Sequence, residues 1–202
     1  MGKQSNDAVT GTAEATSKFN RRGSGFRFTA LLGGFSLLSL FPDLPDILSQ
    51  ESDIVLTPRD VAADVVKRFE PYGRILDPCK GDGAFTDFMP TAEWCEIRDG
   101  RDFFEWHEPV DWIVSNPPYS IFSKFLRHSM TVARNIVYVI PVNKVYNSDR
   151  TMREIWEWGG VPEIHVIGPG AALKFPIGFC IGAVHFQRGY RGSTQMTFRD
   201  AT

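Results

Sequence analysis

The chain is poor in the residues that build metal centres and disulfide frameworks. Its 202 residues include three cysteines and four histidines, and neither set has the short, regular spacing of a zinc site. Scattered cysteines in an odd number indicate reduced thiols, so we expect a cytoplasmic protein without a bound metal. The formal net charge is −2 and the pI about 6.1, which excludes a globally basic nucleic-acid-binding surface and leaves only local patches.

The sequence also lacks an apolar run long enough to cross a bilayer. Its most apolar stretch, residues 26–41, is interrupted by Gly33 and Gly34 and is shorter than the ~20 residues of a spanning helix. It begins too far along the chain for a secretory signal. We expect residues 1–25 to be a disordered tail, residues 26–56 to form an apolar extension and linker, and residues 57–202 to form one domain.

From residue 57 onward, apolar patterns of helical and strand period alternate. Thr57 and Pro58 are typical of a helix start, with Thr57 as the cap and Pro58 as the first helical residue. A second helix is predicted after Tyr119 and a third around residues 152–158. Strands are predicted at residues 75–76, 112–114, 136–140, 163–167 and 180–186, the last two with packed histidines, His165 and His185. The alternation predicts a doubly wound, mostly parallel α/β sheet with helices on both faces.

The most informative segment is Asn116-Pro117-Pro118-Tyr119, which follows the apolar run Trp112-Ile113-Val114. Both prolines fix φ near −65° and donate no backbone hydrogen bond, so the chain bends stiffly where a strand stops. The Asn116 side-chain oxygen and the Pro117 carbonyl can each accept one hydrogen from an amino group. Tyr119 offers a flat face for an unstacked base. The pattern predicts a clamp for an NH2 group on a planar ligand.

A second segment, Asp77-Pro78-Cys79-Lys80-Gly81-Asp82-Gly83, follows the apolar pair Ile75-Leu76. Its glycines permit positive φ and close backbone approach, as in the ligand-facing first turn of a doubly wound sheet. The full G-x-G-x-x-G pattern is missing, which disfavours a pyrophosphate ligand. The two aspartates would repel a pyrophosphate but could pair with a cationic amino-acid group.

Taken together, these segments resemble the Rossmann-like class I methyltransferases, and most of all the DNA adenine-N6 enzymes. The glycine segment is similar to their S-adenosylmethionine-binding motif, and Asn116-Pro117-Pro118-Tyr119 is similar to their catalytic N-P-P-Y motif. The resemblance covers roughly residues 57–190. It implies S-adenosyl-L-methionine as cofactor, a Rossmann-like sheet, and methyl transfer to the exocyclic amino group of adenine in DNA.

The resemblance also implies roles for single residues. Thr57 and Pro58 would touch the methionine end of the cofactor, Glu96 would hold the ribose hydroxyls, and Asp102 and Phe103 would border the adenine. The predicted cofactor-binding set is Thr57, Pro58, Asp77, Pro78, Gly81, Gly83, Phe85, Glu96, Asp102 and Phe103.

The substrate side is predicted from residues that follow the clamp. Lys124 lies in the helix expected after Tyr119 and, with Arg127, Arg134, Lys144, Arg150 and Arg153, could meet phosphates at the catalytic mouth. Phe175 and Phe179 lie in a glycine-rich loop before the last predicted strand, where one of them could form a second wall against the base. For each of these features, an ordinary solvated helix face or core packing is the competing interpretation.

Two departures from the resemblance stand out. Glu96 and Asp102 are too close for a full helix between them, because a crossover connection usually takes a dozen or more residues. No segment is long enough for a separate target-recognition domain, which favours a homodimer, a recognition subunit or a target that is already unpaired.

Three alternative functions stay open at this point. The same clamp would suit an amino group of an RNA base or a glutamine side-chain amide of a protein, because each is an NH2 on an sp2 carbon. A non-catalytic partner subunit with the same fold is the third alternative, although the intact glycines, Asn116 and Tyr119 argue against it.

Overall fold

The computed structural model describes residues 31–32, 35–36, 55–173 and 179–200. The chain divides into two units, Met1–Pro45 and Asp46–Thr202. In the first unit, strands β1 (Leu31–Leu32) and β2 (Phe35–Ser36) pair antiparallel. The predicted disordered tail, residues 1–25, and Phe175 lie outside the described residues, as does most of the predicted extension at residues 26–56.

The second unit contains a seven-stranded, mostly parallel sheet, as the sequence predicted. In chain order its strands are β3 (Ile75–Asp77), β4 (Glu93–Trp94), β5 (Val110–Ser115), β6 (Ala133–Pro141), β7 (Gly159–Pro169), β8 (Cys180–Arg188) and β9 (Gln195–Phe198). Across the sheet they lie in the order β4-β3-β5-β6-β8-β7-β9. Only β8 runs antiparallel to its neighbours, β6 and β7.

Among the residues that the structure describes, three α-helices accompany these strands: α1 (Arg59–Phe69), α2 (Phe122–Val132) and α3 (Asp149–Trp158). All three positions confirm the helices expected from the sequence. The start of α1 differs, because Pro58 occupies the cap position and no side chain caps the helix. The first intrahelical bond is accepted by the Pro58 carbonyl, at 3.0 Å from the Ala62 amide, so Thr57 lies one residue before the cap, and its hydroxyl accepts a hydrogen bond from Asn116.

The helices cover both faces of the sheet. Tyr138 of β6 hydrogen-bonds Ser129 of α2, whereas His185 of β8, directly opposite Val137, packs edge-on against Phe69 of α1. Because adjacent residues of a strand point to opposite faces, α1 and α2 lie on opposite sides. The predicted packing of the histidines is confirmed, with His165 contacting Thr197 and Asp64.

Two connections on the site side of the sheet are unusually short. Residues 81–88, after β3, form successive turns rather than a helix, held by bonds such as Asp87 N to Gly83 O at 3.0 Å. After β4, two 3-10 turns, Ile97–Asp99 and Phe103–Glu105, replace a helix. The second connection confirms that no full helix fits between Glu96 and Asp102.

In the described part of the second unit, no helix is long and apolar enough to span a membrane. The same residues contain no cluster of three metal-binding side chains.

Candidate functional site

The ends of β3 and β5 bring the two sequence motifs together. The strands pair in parallel, with Leu76 opposite Ile113, so their carboxyl ends lie at the same edge of the sheet. Directly at that edge, Ser115 Oγ donates a 2.7 Å hydrogen bond to Asp77 Oδ1. The glycine turn and the Asn-Pro-Pro-Tyr bend therefore begin side by side, as a shared site requires. Ligand sites of open α/β sheets lie at this edge.

Asp77 is a strongly perturbed carboxyl group at the centre of the site. It is fully buried, and burial raises its pKa from 3.8 to about 7, against the opposing hydrogen bonds from Ser115 and the Cys79 amide. Its second oxygen, Oδ2, is buried without a hydrogen-bond partner in the described part of the chain. A buried, unpaired carboxylate oxygen is unfavourable by itself. Asp77 is therefore ready to accept a cationic or hydrogen-bonding ligand.

The glycine turn uses backbone conformations that favour glycine. Gly81 has φ of 56° and Gly83 φ of 89°, and a Cβ on Gly83 would meet the Thr86 hydroxyl at 3.1 Å. The turn is tied to the segment that follows β4 by Gly81 N, which donates to Glu96 Oε2 at 2.9 Å. The sequence predicted the glycines, and the structure brings Glu96 against them.

Glu96 is charged and nearly buried beside this turn. Burial raises its pKa, but the ion pair with Arg98 and the hydrogen bond from the Gly81 amide outweigh that effect, and the pKa is held below its usual value. The Arg98 guanidinium lies 2.8 Å from Glu96 Oε1. An ionised carboxylate is the form that accepts hydrogen bonds from hydroxyl groups.

Asn116 forms the second half of the site. Its Nδ2 donates to Val55 O at 2.9 Å and to Thr57 Oγ1 at 3.1 Å. A carbonyl oxygen can only accept, so the bond to Val55 fixes which side of the amide carries the nitrogen. Oδ1 is therefore on the other side, where it is buried and receives no hydrogen bond from any described residue. The amide is held by its donor end with its acceptor end available.

The rest of the bend is rigid and largely enclosed. Pro118 has φ of −61°, and the Tyr119 ring is only 6% exposed, so its face is not open to a flat ligand in this structure. Lys144 Nζ donates to the Tyr119 carbonyl at 3.0 Å. Tyr119 consequently fixes the bend here, and stacking on it requires the ring to become accessible.

The remaining predicted cofactor residues lie either in the hydrophobic core or in the turns beside the site. Phe85 and Phe103 are each 2% exposed and belong to the core, and Phe103 packs edge-on against His128 of α2. Asp102 caps the following 3-10 turn through a 2.9 Å bond from the Phe104 amide. Pro78 lies buried within the glycine turn.

The predicted substrate residues do not all lie near the clamp. Lys124 is exposed, with its ammonium 3.9 Å from the centre of the Phe104 ring. Phe179 is 53% exposed just before β8. Arg134 is near the amino end of β6 and hence at the opposite edge of the sheet from the clamp. Arg150 and Arg153 form ion pairs within α3, with Glu154 and Asp149 respectively.

A pocket of about 340 Å³ adjoins the clamp, and Tyr119 is one of its lining residues. Its polar lining includes Lys124, Arg127, Lys144, Ser123, Asn147 and Ser148. None of the described residues that line it is acidic. Of the described pockets, only this one borders the bend, and its charged lining residues are all basic.

Sequence reasoning did not identify two contributors to the site. Ser115 orients Asp77, and its signal was a polar residue ending an apolar strand directly before the clamp. The Val55 carbonyl orients Asn116, and no sequence signal marks it, because a backbone carbonyl is present at every residue.

No protein-family model and no curated protein sequence matches this chain. Solved structures do resemble it. A Listeria monocytogenes chain described as a class I S-adenosylmethionine-dependent methyltransferase has 11% identity and a TM-score of 0.56, over 80% of this chain and 71% of that one.

Two further similar structures come from proteins that are described differently from each other. A chain from a type I R-M system is 15% identical with a TM-score of 0.57, over 77% of this chain, which spans 47% of that longer chain. The 23S rRNA methyltransferase ErmE is 14% identical with a TM-score of 0.50, over 67% and 70% of the two chains. At these identities the likeness concerns the fold. The chain has the Rossmann-like fold of the class I S-adenosylmethionine-dependent methyltransferases.

Proposed function

We propose that this protein transfers a methyl group from S-adenosyl-L-methionine to the exocyclic amino group of adenine in DNA. The observation that carries the proposal is the Asn116 amide, which is held through its nitrogen, has Oδ1 buried without a described partner, and follows Ser115, the residue bonded to Asp77 at the start of the glycine turn. A lost hydrogen bond at a buried acceptor costs about 1–3 kcal/mol. An entering amino group would relieve that cost, so the site favours a ligand that donates there.

The clamp accounts for how an adenine amino group becomes nucleophilic. Asn116 Oδ1 would accept one hydrogen and the Pro117 carbonyl the other, which draws the nitrogen lone pair out of conjugation with the ring. Because Oδ1 is shielded from water, its hydrogen bond acts in a low local dielectric and is stronger than in solution. Orientation of two bound reactants can lower a barrier by roughly 7–11 kcal/mol. No strong base is required, since the proton can leave after methyl transfer.

The residues at the end of β3 fit the cofactor. S-adenosylmethionine supplies an activated methyl group on a sulfonium. Asp77, with Oδ2 unpaired, would hold the positively charged amino-acid end, and Thr57 and Pro58 would border it. Gly81 and Gly83 leave room for close approach, and Glu96 would accept hydrogen bonds from the ribose hydroxyls. Asp102 would lie near the adenine.

Two arguments support DNA adenine as the substrate: the charge of a pocket and the resemblance of a sequence motif. The cationic pocket beside Tyr119 favours a phosphate-bearing substrate over a peptide. The Asn-Pro-Pro-Tyr resemblance favours adenine in DNA over a base in RNA. The fold itself does not separate these, because the similar structures include both a type I R-M chain and a 23S rRNA methyltransferase.

The proposal extends to partners and location. We further propose that a homodimer, a recognition subunit or an already unpaired target supplies the sequence specificity. Three free thiols and a nucleic-acid substrate suit the cytoplasm.

Methyl transfer can be tested directly with tritiated S-adenosylmethionine. The purified chain is incubated with duplex DNA, single-stranded DNA, RNA and a protein lysate, and the labelled product is identified by mass spectrometry. We expect N6-methyladenine in DNA. Label in RNA or on a glutamine amide would replace the substrate assignment, and no label in any fraction would contradict the enzymatic proposal.

A further inference from the structure

We propose that the pocket beside Tyr119 is a seat for a phosphodiester group that flanks the target adenine. This inference rests on the proposed function and extends it, because it assigns a substrate-binding role to residues outside the clamp. The pocket is lined by the end of the clamp, the start of α2 and the residues before α3. A ligand that fills it would therefore touch the same substrate unit that the clamp holds.

The charges of the pocket favour an anion. Lys124 and Lys144 both line it, and neither forms an ion pair with a carboxylate in the described part of the chain. Arg127 also lines it, but its charge is offset by Glu154 at 3.2 Å. The Lys144 ammonium donates to the Tyr119 carbonyl and the Lys124 ammonium lies over the Phe104 ring, so no described carboxylate neutralises either charge, and no described lining residue is acidic. Together they concentrate positive charge on a protein whose overall charge is −2.

The start of α2 adds oriented donors to those charges. Residues 121–124 line the pocket, and no side chain caps the helix at Ile121. A 3-10 turn, Tyr119–Ile121, runs directly into α2, so the available donors are those first N–H groups that this turn does not engage, and the helix dipole is positive there. Helix starts of this kind bind phosphate groups. Here the two lysines supply the charge and the backbone supplies the geometry.

The hydroxyl groups of the pocket are placed to complete such a site. Ser123 shares a 3.0 Å hydrogen bond with Thr151, and Ser148 accepts from the Thr151 amide at 3.2 Å. In that bond the Ser148 oxygen is the acceptor, so the bond does not use the hydroxyl hydrogen of Ser148. A phosphate oxygen can therefore receive hydrogen bonds from serine as well as from lysine.

This arrangement explains how a slightly acidic protein could bind nucleic acid. Most of the affinity of such proteins comes from phosphate contacts, and each contact adds about one unit to the salt dependence of binding. A single well-built seat next to the catalytic bend would hold the target strand where the methyl group is transferred. It would also separate nucleic acid from a protein glutamine substrate, which has no phosphate.

The test pairs a change in the protein with a change in the substrate. Two oligonucleotides differ only in the linkages beside the target adenine, which are phosphodiesters in one and neutral methylphosphonates in the other. With the wild-type chain we expect the neutral linkages to raise KM roughly tenfold, the loss expected for one charge-assisted contact. With Lys124→Gln the KM of the normal substrate should rise, and the further penalty of the neutral linkage should largely vanish.

Lys67→Gln is the matched control, because Lys67 is an exposed lysine near the end of α1 that does not line the pocket. It should retain the full methylphosphonate penalty. An equal penalty in wild type and Lys124→Gln would overturn the phosphate seat while leaving adenine methylation intact.

A second measurement does not depend on catalysis. Inorganic phosphate is titrated into the full-length chain, and backbone amide shifts of residues 122–124 are followed by NMR. Saturable shifts that disappear in Lys124→Gln support the seat even if no DNA is methylated, in which case the proposed function fails alone. No response of these amides to phosphate would overturn the inference.

Discussion

The two halves of the site solve different physical problems at one edge of the sheet. The glycine turn begins at a buried carboxylate, Asp77, and is joined to neighbouring segments by the Ser115–Asp77 and Gly81–Glu96 hydrogen bonds. The bend after β5 instead holds an amide, Asn116, by one end and leaves the other end without a partner. The glycine-turn half therefore favours a cationic ligand. The bend fixes the orientation of a hydrogen-bond acceptor, Asn116 Oδ1.

The two halves differ in the interaction that is unfavourable in the free protein. At the glycine turn the unfavourable term is electrostatic, because burial shifts the pKa of Asp77 to about 7. At the bend it is an unsatisfied acceptor with a fixed orientation. Changes to the first half should therefore act on cofactor affinity and on pH dependence, whereas changes to the second should act on turnover.

The largest expected effect comes from removing the clamp. Asn116→Ala deletes the acceptor and should lower kcat by roughly 10²–10³-fold, the usual cost of losing one oriented group at the reacting centre. Cofactor affinity, measured by calorimetry, should change little because Asp77 and the glycines are untouched.

Asn135→Ala is a suitable control for this variant. Asn135 is a partly buried amide near the amino end of β6, at the other edge of the sheet. Its substitution should leave kcat within a few-fold of wild type. Equal turnover in Asn116→Ala and wild type would remove the distinction between the two halves.

A smaller effect is expected at Asp77, where the charge rather than the shape matters. Asp77→Asn keeps an oxygen for the Ser115 hydrogen bond but cannot ionise. The variant should bind S-adenosylmethionine at least tenfold more weakly at pH 8, by calorimetry. An unchanged affinity would show that Asp77 does not hold the cationic end of the cofactor.

The same variant has a pH signature in the free protein. The pKa of Asp77 is raised from 3.8 to about 7 on folding, so the folded state binds the proton more tightly than the unfolded state. Its contribution to stability is complete below pH 3.8 and is lost as the pH rises through 7. Asp77→Asn lacks this loss, so its stability relative to wild type should increase by about 2–3 kcal/mol between pH 5 and pH 8. Urea unfolding at the two pH values measures this gap, and a constant gap would contradict the assigned pKa.

The smallest expected effect tests how the clamp is oriented. Thr57→Val preserves shape but removes the hydroxyl that accepts from Asn116 at 3.1 Å. One neutral hydrogen bond contributes about 0.5–1.5 kcal/mol, so kcat should fall roughly three- to tenfold.

Thr131→Val, at an exposed position near the end of α2, provides the matched control and should have no effect on kcat. Because Thr57 would also border the cofactor, its affinity for the variant is measured alongside, and an unchanged kcat would show that Thr57 serves only the cofactor and does not orient the clamp.

Much of the fold could be predicted because local patterns suffice for it. The β-branched run of β6 and the stripe of α1 show their periods in the sequence, and the glycines and prolines mark the turns between elements. The antiparallel direction of β8 between β6 and β7 could not be predicted, since an apolar run reads the same in either direction. The cap of α1 was also predicted wrongly, because the helix begins one residue later, with Pro58 at the cap position, and Thr57 contacts Asn116, 59 positions further along the chain.

The site was predictable to a similar degree. Asn116 and the glycines could be proposed as site residues because their chemistry depends on residue type and local backbone geometry, and the structure brings their segments to the same edge of the sheet. The burial of Phe85, Phe103 and Tyr119 was not, because an aromatic residue next to a motif can face either the ligand or the core.

The sequence by itself determined which groups are present and where the chain must bend, because prolines and glycines restrict the backbone locally. Tertiary structure alone decided that Asp77 meets Ser115, that Asn116 is turned by a carbonyl 61 residues away, and that the lysines collect beside Tyr119. Each of these contacts joins elements that are distant in the chain. Their geometry arises only when the strands pair, and with it the shifted pKa and the unpaired acceptor on which the proposed chemistry depends.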